Sequence, residues 1–174
     1  MTARSAAVIV CSTRAAAGVY TDRTGPVIVD WLRARGFETD DATVVPDGPL
    51  VTAALERAVG TGHAVVISTG GTGIGPGDMA ADVAARLITV PLPGFHEELR
   101  RRGSLTTPFA LMSRGVAGIA GESLLVTLPG STGGVRDGLT LLDQVLEHVL
   151  DQRAGGAHDE PTEHDAASAG PGTS

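Results

Sequence analysis

Short unbroken apolar runs alternate with apolar residues at helical spacing along this chain. Four segments read as strands: Ala6-Ala7-Val8-Ile9-Val10, residues 39–45, which carry polar residues ahead of Val44-Val45, residues 63–68 around the unbroken run Ala64-Val65-Val66-Ile67, and residues 124–128. Between them, Val27, Ile28, Trp31 and Leu32 recur at helical spacing within residues 24–35, and Val51, Ala54, Leu55, Ala58 and Val59 do so within residues 49–59. Thr24 is the expected cap of the first helix, Pro26 suits its first turn and Gly36 ends it. Residues 78–87 return to helix, and residues 95–102 read as a short charged helix after the break at Pro91-Leu92-Pro93-Gly94. Residues 110–120, with Gly115 and Gly118, read as a small hairpin. A last helix over 135–153 sets Leu139, Leu142, Val145, Leu146 and Val149 on one face. Strand and helix in alternation predict an α/β fold with a mostly parallel sheet, whose ligands sit at the carboxyl ends of the strands.

The segment leaving the third run is Ser68-Thr69-Gly70-Gly71-Thr72-Gly73-Ile74-Gly75-Pro76-Gly77-Asp78. Five of its eleven residues are glycine, so its amides can be approached closely. Ahead of a helix, such a loop is either an anion site suited to phosphate or a tight turn that binds nothing. Asp78 offers a hard oxygen to Mg²⁺, or caps the following helix. A second glycine-rich loop, Pro129-Gly130-Ser131-Thr132-Gly133-Gly134, follows the last run. The strand ends therefore bring Cys11-Ser12-Thr13, Pro46-Asp47-Gly48 and the loops to one rim.

Composition narrows the chemistry. The chain has no lysine, and its 13 basic residues are all arginine, which excludes a lysine-bearing phosphate loop and Schiff-base catalysis. A net charge of −7 argues against nucleic acid as a partner. No apolar run reaches the roughly 18 residues of a membrane span, so the expectation is a cytoplasmic protein. Cys11, the single cysteine, reads as a buried core residue rather than a nucleophile. The histidines show no zinc-ligand spacing. Residues 1–153 form one expected domain; residues 154–174, rich in Gly, Ala, Pro, Ser and acids, read as a disordered tail.

In order and spacing these residues resemble the Mog/MoaB family of molybdenum cofactor biosynthesis proteins over roughly residues 4–153. The matching pieces are Ser12 with residues 14–22, Asp47, Gly70-Gly71-Thr72-Gly73 with Asp78, Pro93-Gly94 with Glu97 and Arg100, Ser113-Arg114-Gly115-Val116, and Leu128-Pro129-Gly130-Ser131. The resemblance implies a three-layer αβα sandwich, a homotrimer, and adenylylation of molybdopterin by Mg-ATP with release of pyrophosphate. It further implies a partner of the MoeA type that inserts molybdate. Asp47 and Asp78 match the family's functional aspartates, as catalytic and metal-binding residues. Ser12, Gly70 to Gly73, Glu97, Arg100, Ser113, Pro129, Gly130 and Ser131 match its substrate-binding positions. In this reaction the substrate's phosphate is the nucleophile, so positioning, a cation and charge stabilisation suffice. Arg100 or Arg114 would neutralise phosphate charge, unless each is a solvated surface residue. Where the family has Thr-Pro-Glu after the loop aspartate, this chain has Ala80, Ala81 and Asp82; Thr13 and Thr132 are lesser departures. The Ala80-Ala81 change keeps a second reading open, a molybdopterin-binding module or scaffold without turnover.

Overall fold

The computed structural model describes residues 4–155; the expected tail therefore lies, but for Ala154 and Gly155, outside the described residues. Six strands form one sheet in the order β2-β1-β3-β6-β5-β4. They are β1 (Ala6–Cys11), β2 (Thr43–Val45), β3 (Val65–Thr69), β4 (Val90–Pro91), β5 (Ala117–Ala120) and β6 (Ser123–Leu128). β2, β1, β3 and β6 run parallel; β5 is antiparallel to β6 and β4 to β5. The helices are α1 (Thr13–Ala16), α2 (Gly25–Arg33), α3 (Pro49–Gly60), α4 (Ala80–Leu87), α5 (Pro93–Ser104) and α6 (Thr132–Arg153), with a 3-10 turn at Pro108–Met112.

Strand alternation divides the core in two. Val8, Val65, Ile67 and Val126 face one layer, with Ile28 and Leu32 of α2, Leu99 of α5 and Leu142 of α6. Ile9, Val66 and Leu125 face the other, with Val51 and Leu55 of α3 and Val83 of α4. This is the expected three-layer sandwich. Each fully buried Val, Leu or Ile contributes about 1.5–3 kcal/mol of transfer free energy. No helix of the described residues is long and apolar enough to cross a membrane.

Several local expectations change. The segment 39–45 pairs with β1 only from Thr43; Arg33 donates to Thr39 O at 2.9 Å and to Asp41 Oδ1 at 3.1 Å in the stretch before it. Thr24 does not cap α2; Asp22 does, its carboxylate accepting from the amides of Thr24 and Gly25 at 2.9 and 3.0 Å. The hairpin is not at 110–120. Residues 108–112 form the 3-10 turn, and β5 pairs instead with β6 across Gly121. α5 begins at Pro93 itself, where a proline without an N–H costs nothing. Val145, expected on the buried face of α6, is exposed.

Candidate functional site

The carboxyl ends of β1, β2, β3 and β6 lie side by side, and β1 is the switch point from which the chain runs both ways across the sheet. At the end of β1 the Ser12 amide donates to Val45 O at 2.9 Å, and Ser12 Oγ caps α1 by accepting from the Ala15 amide at 3.2 Å. Thr13 then grips the aspartate beyond β2. Its amide and Oγ1 donate to Asp47 Oδ2 at 2.9 and 2.8 Å, while the Asp47 amide donates to Thr13 Oγ1 at 3.1 Å. Thr13, a departure from the family pattern, thus orients an expected catalytic residue.

The glycine loop passes close over the end of β1. Gly70 and Gly71 have φ of +86° and +63°. That turn aims Gly71 O at the start of α4, where it accepts from the Ala80 amide at 3.1 Å. A main-chain carbonyl thus takes the place of a side-chain cap, since Met79 at the cap position makes no such bond. The first amide of α4 is thereby satisfied within the chain. Asp78 is not the helix cap: its Oδ2 accepts from the Gly75 amide at 2.8 Å, closing the loop on itself. A Cβ added to Gly77 would lie 3.4 Å from Asp47 Cβ, so the two aspartates flank one short stretch of loop.

The protein hydrogen bonds to both carboxylates fall on Oδ2. Among the described residues no hydrogen bond reaches either Oδ1, and a carboxylate oxygen of this kind suits a hard cation. Among the described residues no cluster of three or more His, Cys, Asp or Glu could cage a metal. Mg²⁺ suits such a donor set, because it is commonly held by one or two carboxylates with phosphates and water completing the octahedron.

Arg114 is committed elsewhere than to phosphate. Its guanidinium donates to Gly73 O at 2.7 Å, to Asp78 O at 2.7 Å, and to both oxygens of Asp82 at 2.7 and 2.8 Å. Cys11 is a buried residue of the core, as the sequence suggests. Burial, and then the charge of Asp47, push its thiol up to about 12.

On the other side of the loop lies a cavity of about 610 Å³, within the range of small-molecule sites. It is bounded by the loop, α5, the 3-10 turn and the start of α6. Ile74, Leu99, Phe109 and Met112 give it apolar walls; Arg100, Ser113, Ser131 and Asp137 are among its polar groups. The two glycine-rich loops are bound together where Thr69 Oγ1 donates to Pro129 O at 2.8 Å and the Gly70 amide to Leu128 O at 3.1 Å. Ser131 Oγ caps α6 through the Gly134 amide at 3.1 Å. Arg100 gives one hydrogen bond to Ser113 O at 3.2 Å and faces the cavity.

His96 also lines this cavity, yet it is 2% exposed and neither ring nitrogen has a hydrogen-bond partner among the described residues. Burial, then the Arg100 charge, hold it down at about 4, so it is neutral; backbone groups of Val116 and Thr127 oppose that shift without forming well-shaped hydrogen bonds. Gly115 leaves room for the ring, since a Cβ there would lie 2.4 Å from His96 Cε1.

Of the expected substrate-binding residues, Thr72, Gly73, Arg100, Ser113, Pro129 and Ser131 line the cavity. Gly70, Gly71 and Gly130 build the turn beside it, with Gly130 packed on Gly70. Ser12, Asp47 and Asp78 lie outside the cavity lining, and Glu97 is exposed on α5 and does not line it either. His96, Phe109 and Asp137 were not expected. The signal for His96 was its spacing with Leu99, Arg100 and Gly103 along one stripe of α5.

Residues 7–148 match a family described as a probable molybdopterin binding domain. A molybdenum cofactor biosynthesis bifunctional protein of Chlorobaculum tepidum is 37% identical over 153 residues, which cover 87% of this chain and 49% of that protein. The chain thus spans about half the length of the bifunctional relatives it matches. A molybdopterin adenylyltransferase of Haemophilus influenzae is 32% identical over 74% of this chain and 67% of its own length. Among solved structures, the molybdopterin biosynthesis Mog protein of Mycobacterium ulcerans superposes with a TM-score of 0.83 at 46% identity, covering 89% of this chain and 99% of that one.

Proposed function

The chain belongs to the molybdopterin-binding-domain family, of the Mog/MoaB type, and on that premise we propose that it adenylylates molybdopterin in molybdenum cofactor biosynthesis. The observation that carries the proposal is the two-sided glycine loop. One side presents the fixed carboxylates Asp47 and Asp78, and the other borders a cavity of about 610 Å³ with mixed apolar and polar walls.

In the proposed reaction a phosphate oxygen of molybdopterin bonds to the α-phosphorus of ATP. The bond from that phosphorus to the bridging oxygen of the β-phosphate breaks, and pyrophosphate leaves with the electron pair. No protein nucleophile is needed, in keeping with a buried, protonated Cys11. Asp47 and Asp78 would hold Mg²⁺, which when bound neutralises phosphate charge. Thr13 fixes the orientation of Asp47, and Gly75 that of Asp78. The cavity between α5 and the start of α6 would seat the pterin, with Arg100 as the cation nearest its phosphate. Holding both reactants at one loop supplies the entropic part of the rate.

The alternative of a pterin binder without turnover rests on Ala80 and Ala81. Gly71 O caps α4 in their place, so the loss of a side-chain cap does not release Asp78, and this favours the enzyme. We further propose that the chain works as a homotrimer in the cytoplasm and passes its product to a separate molybdate-inserting protein of the MoeA type.

The test is molybdopterin with MgATP and the full chain, assayed for adenylyl-molybdopterin and pyrophosphate. Product that disappears in Asp78→Asn is the expected result. Tight pterin binding by the wild type with no ATP consumed would replace the enzyme with the binder.

A further inference from the structure

Residues 72–78 contain three glycines, and their own hydrogen bonds are the few that close Gly75 onto Asp78. A glycine-rich segment of this kind loses much conformational entropy on ordering. Something outside it must therefore hold its shape, and Arg114 touches it at both ends. The Arg114 amide donates to Thr72 O at 2.8 Å. The guanidinium donates through Nε to Gly73 O and through Nη2 to Asp78 O, each at 2.7 Å. Its remaining arm, Nη1, is gripped by both oxygens of Asp82 on α4 at 2.7 and 2.8 Å.

One rigid planar group thus fixes the separation of residues 73 and 78 and ties both to a helix. A lysine ammonium has no planar fork with which to do this. The ion pair itself is half exposed, so its direct contribution to global stability is small. What it controls is the backbone that carries the Asp78 carboxylate.

We propose that Arg114, anchored by Asp82, is a positioning residue for the divalent cation at Asp78; this rests on the metal role given to Asp78 above. The Asp78 carbonyl on Arg114 and the Asp78 carboxylate on Gly75 belong to one residue, so displacing the first shifts the second. Outer groups that orient a metal ligand characteristically change affinity by about 10–100-fold when lost.

The experiment is a Mn²⁺ titration of the full chain in the presence of ATP, read by water-proton relaxation, alongside thermal melting. For Arg114→Lys and Asp82→Asn the half-saturating Mn²⁺ should rise about tenfold or more. Asp82→Glu, which can still accept the fork, should stay within about twofold of wild type. The melting temperature of Arg114→Lys should fall by only a few degrees, and excess Mg²⁺ should restore much of its adenylyl transfer. Wild-type Mn²⁺ affinity in Arg114→Lys would overturn the inference alone. So would an Arg114→Lys protein whose stability, pterin binding and Mn²⁺ binding fall together, because that is a structural role only. A wild type that never binds Mn²⁺ would remove the metal role of Asp78, and this inference with it.

Discussion

Gly70 lies so close to Cys11 that a Cβ on it would sit 2.2 Å from the Cys11 carbonyl oxygen. The contact is backbone on backbone, and the φ of Gly70 is +86°, so neither partner can yield. Gly70→Ala should therefore destabilise the protein by about 3 kcal/mol, from left-handed strain and displacement of the loop. Adenylyl transfer should be lost with it. Gly60→Ala, at the end of α3 with nothing within 4 Å, is the matched control and should be neutral or slightly stabilising. Denaturant titration of the two variants side by side checks this.

Thr13 bonds Asp47 through its amide and its hydroxyl, and the hydroxyl also accepts from the Asp47 amide. Thr13→Val removes the two hydroxyl bonds and keeps the shape. A hydrogen bond to a charged group contributes about 1.5–3 kcal/mol, so adenylyl transfer should fall by about tenfold or more. Thr13→Ser should retain most of it. Equal rates for Thr13→Val and wild type in a steady-state assay would mean that Asp47 holds its position without this grip.

These residues also mark what was legible in the sequence. The unbroken run Ala64-Val65-Val66-Ile67 reveals a buried parallel strand, because both faces of such a strand are covered and its positions are mostly apolar. The rim at the strand ends follows from topology. The partners across the rim do not: Thr13 reaches Asp47 34 residues away, and Arg114 reaches Asp78 36 residues away, separations that periodicity cannot detect. The cap of α4 was invisible for another reason. It is a main-chain carbonyl aimed by the φ of Gly71, and main-chain groups leave no residue signature. Asp22 was passed over as a cap because Thr24 stands at the usual position, yet the hydroxyl of Thr24 is itself bonded to Asp22.

Ala81 tests the cap. Its amide sits 3.5 Å from Gly71 O, a contact too long to contribute much, whereas the Ala80 amide makes the true bond at 3.1 Å. Ala81→Pro should therefore sacrifice almost nothing in the folded state. The restricted unfolded chain should add about 0.4–1 kcal/mol of stability. Melting temperature and adenylyl transfer should both hold or rise. A clear loss of stability would show that the Ala81 amide matters and that Gly71 O caps two residues rather than one.

His96 should make stability fall in weak acid. Its folded value is about 4, against 6.5 for an ordinary histidine, so the unfolded chain binds more protons between these values. Stability from this residue is complete above about pH 6.5 and declines as pH falls toward 4, by on the order of 3 kcal/mol in all. Arg100 on the same helix opposes its charging, and Asp137 lines the same cavity, so the comparison must isolate His96 itself. His96→Phe keeps a ring beside Gly115 and removes two unpartnered nitrogens. The variant should match or exceed wild-type stability at pH 7, and its decline between pH 6.5 and 4 should be shallower. Urea titrations at half-unit steps of pH give both slopes. Parallel slopes would mean that the carboxylates, and not this buried imidazole, set the acid limit of the fold.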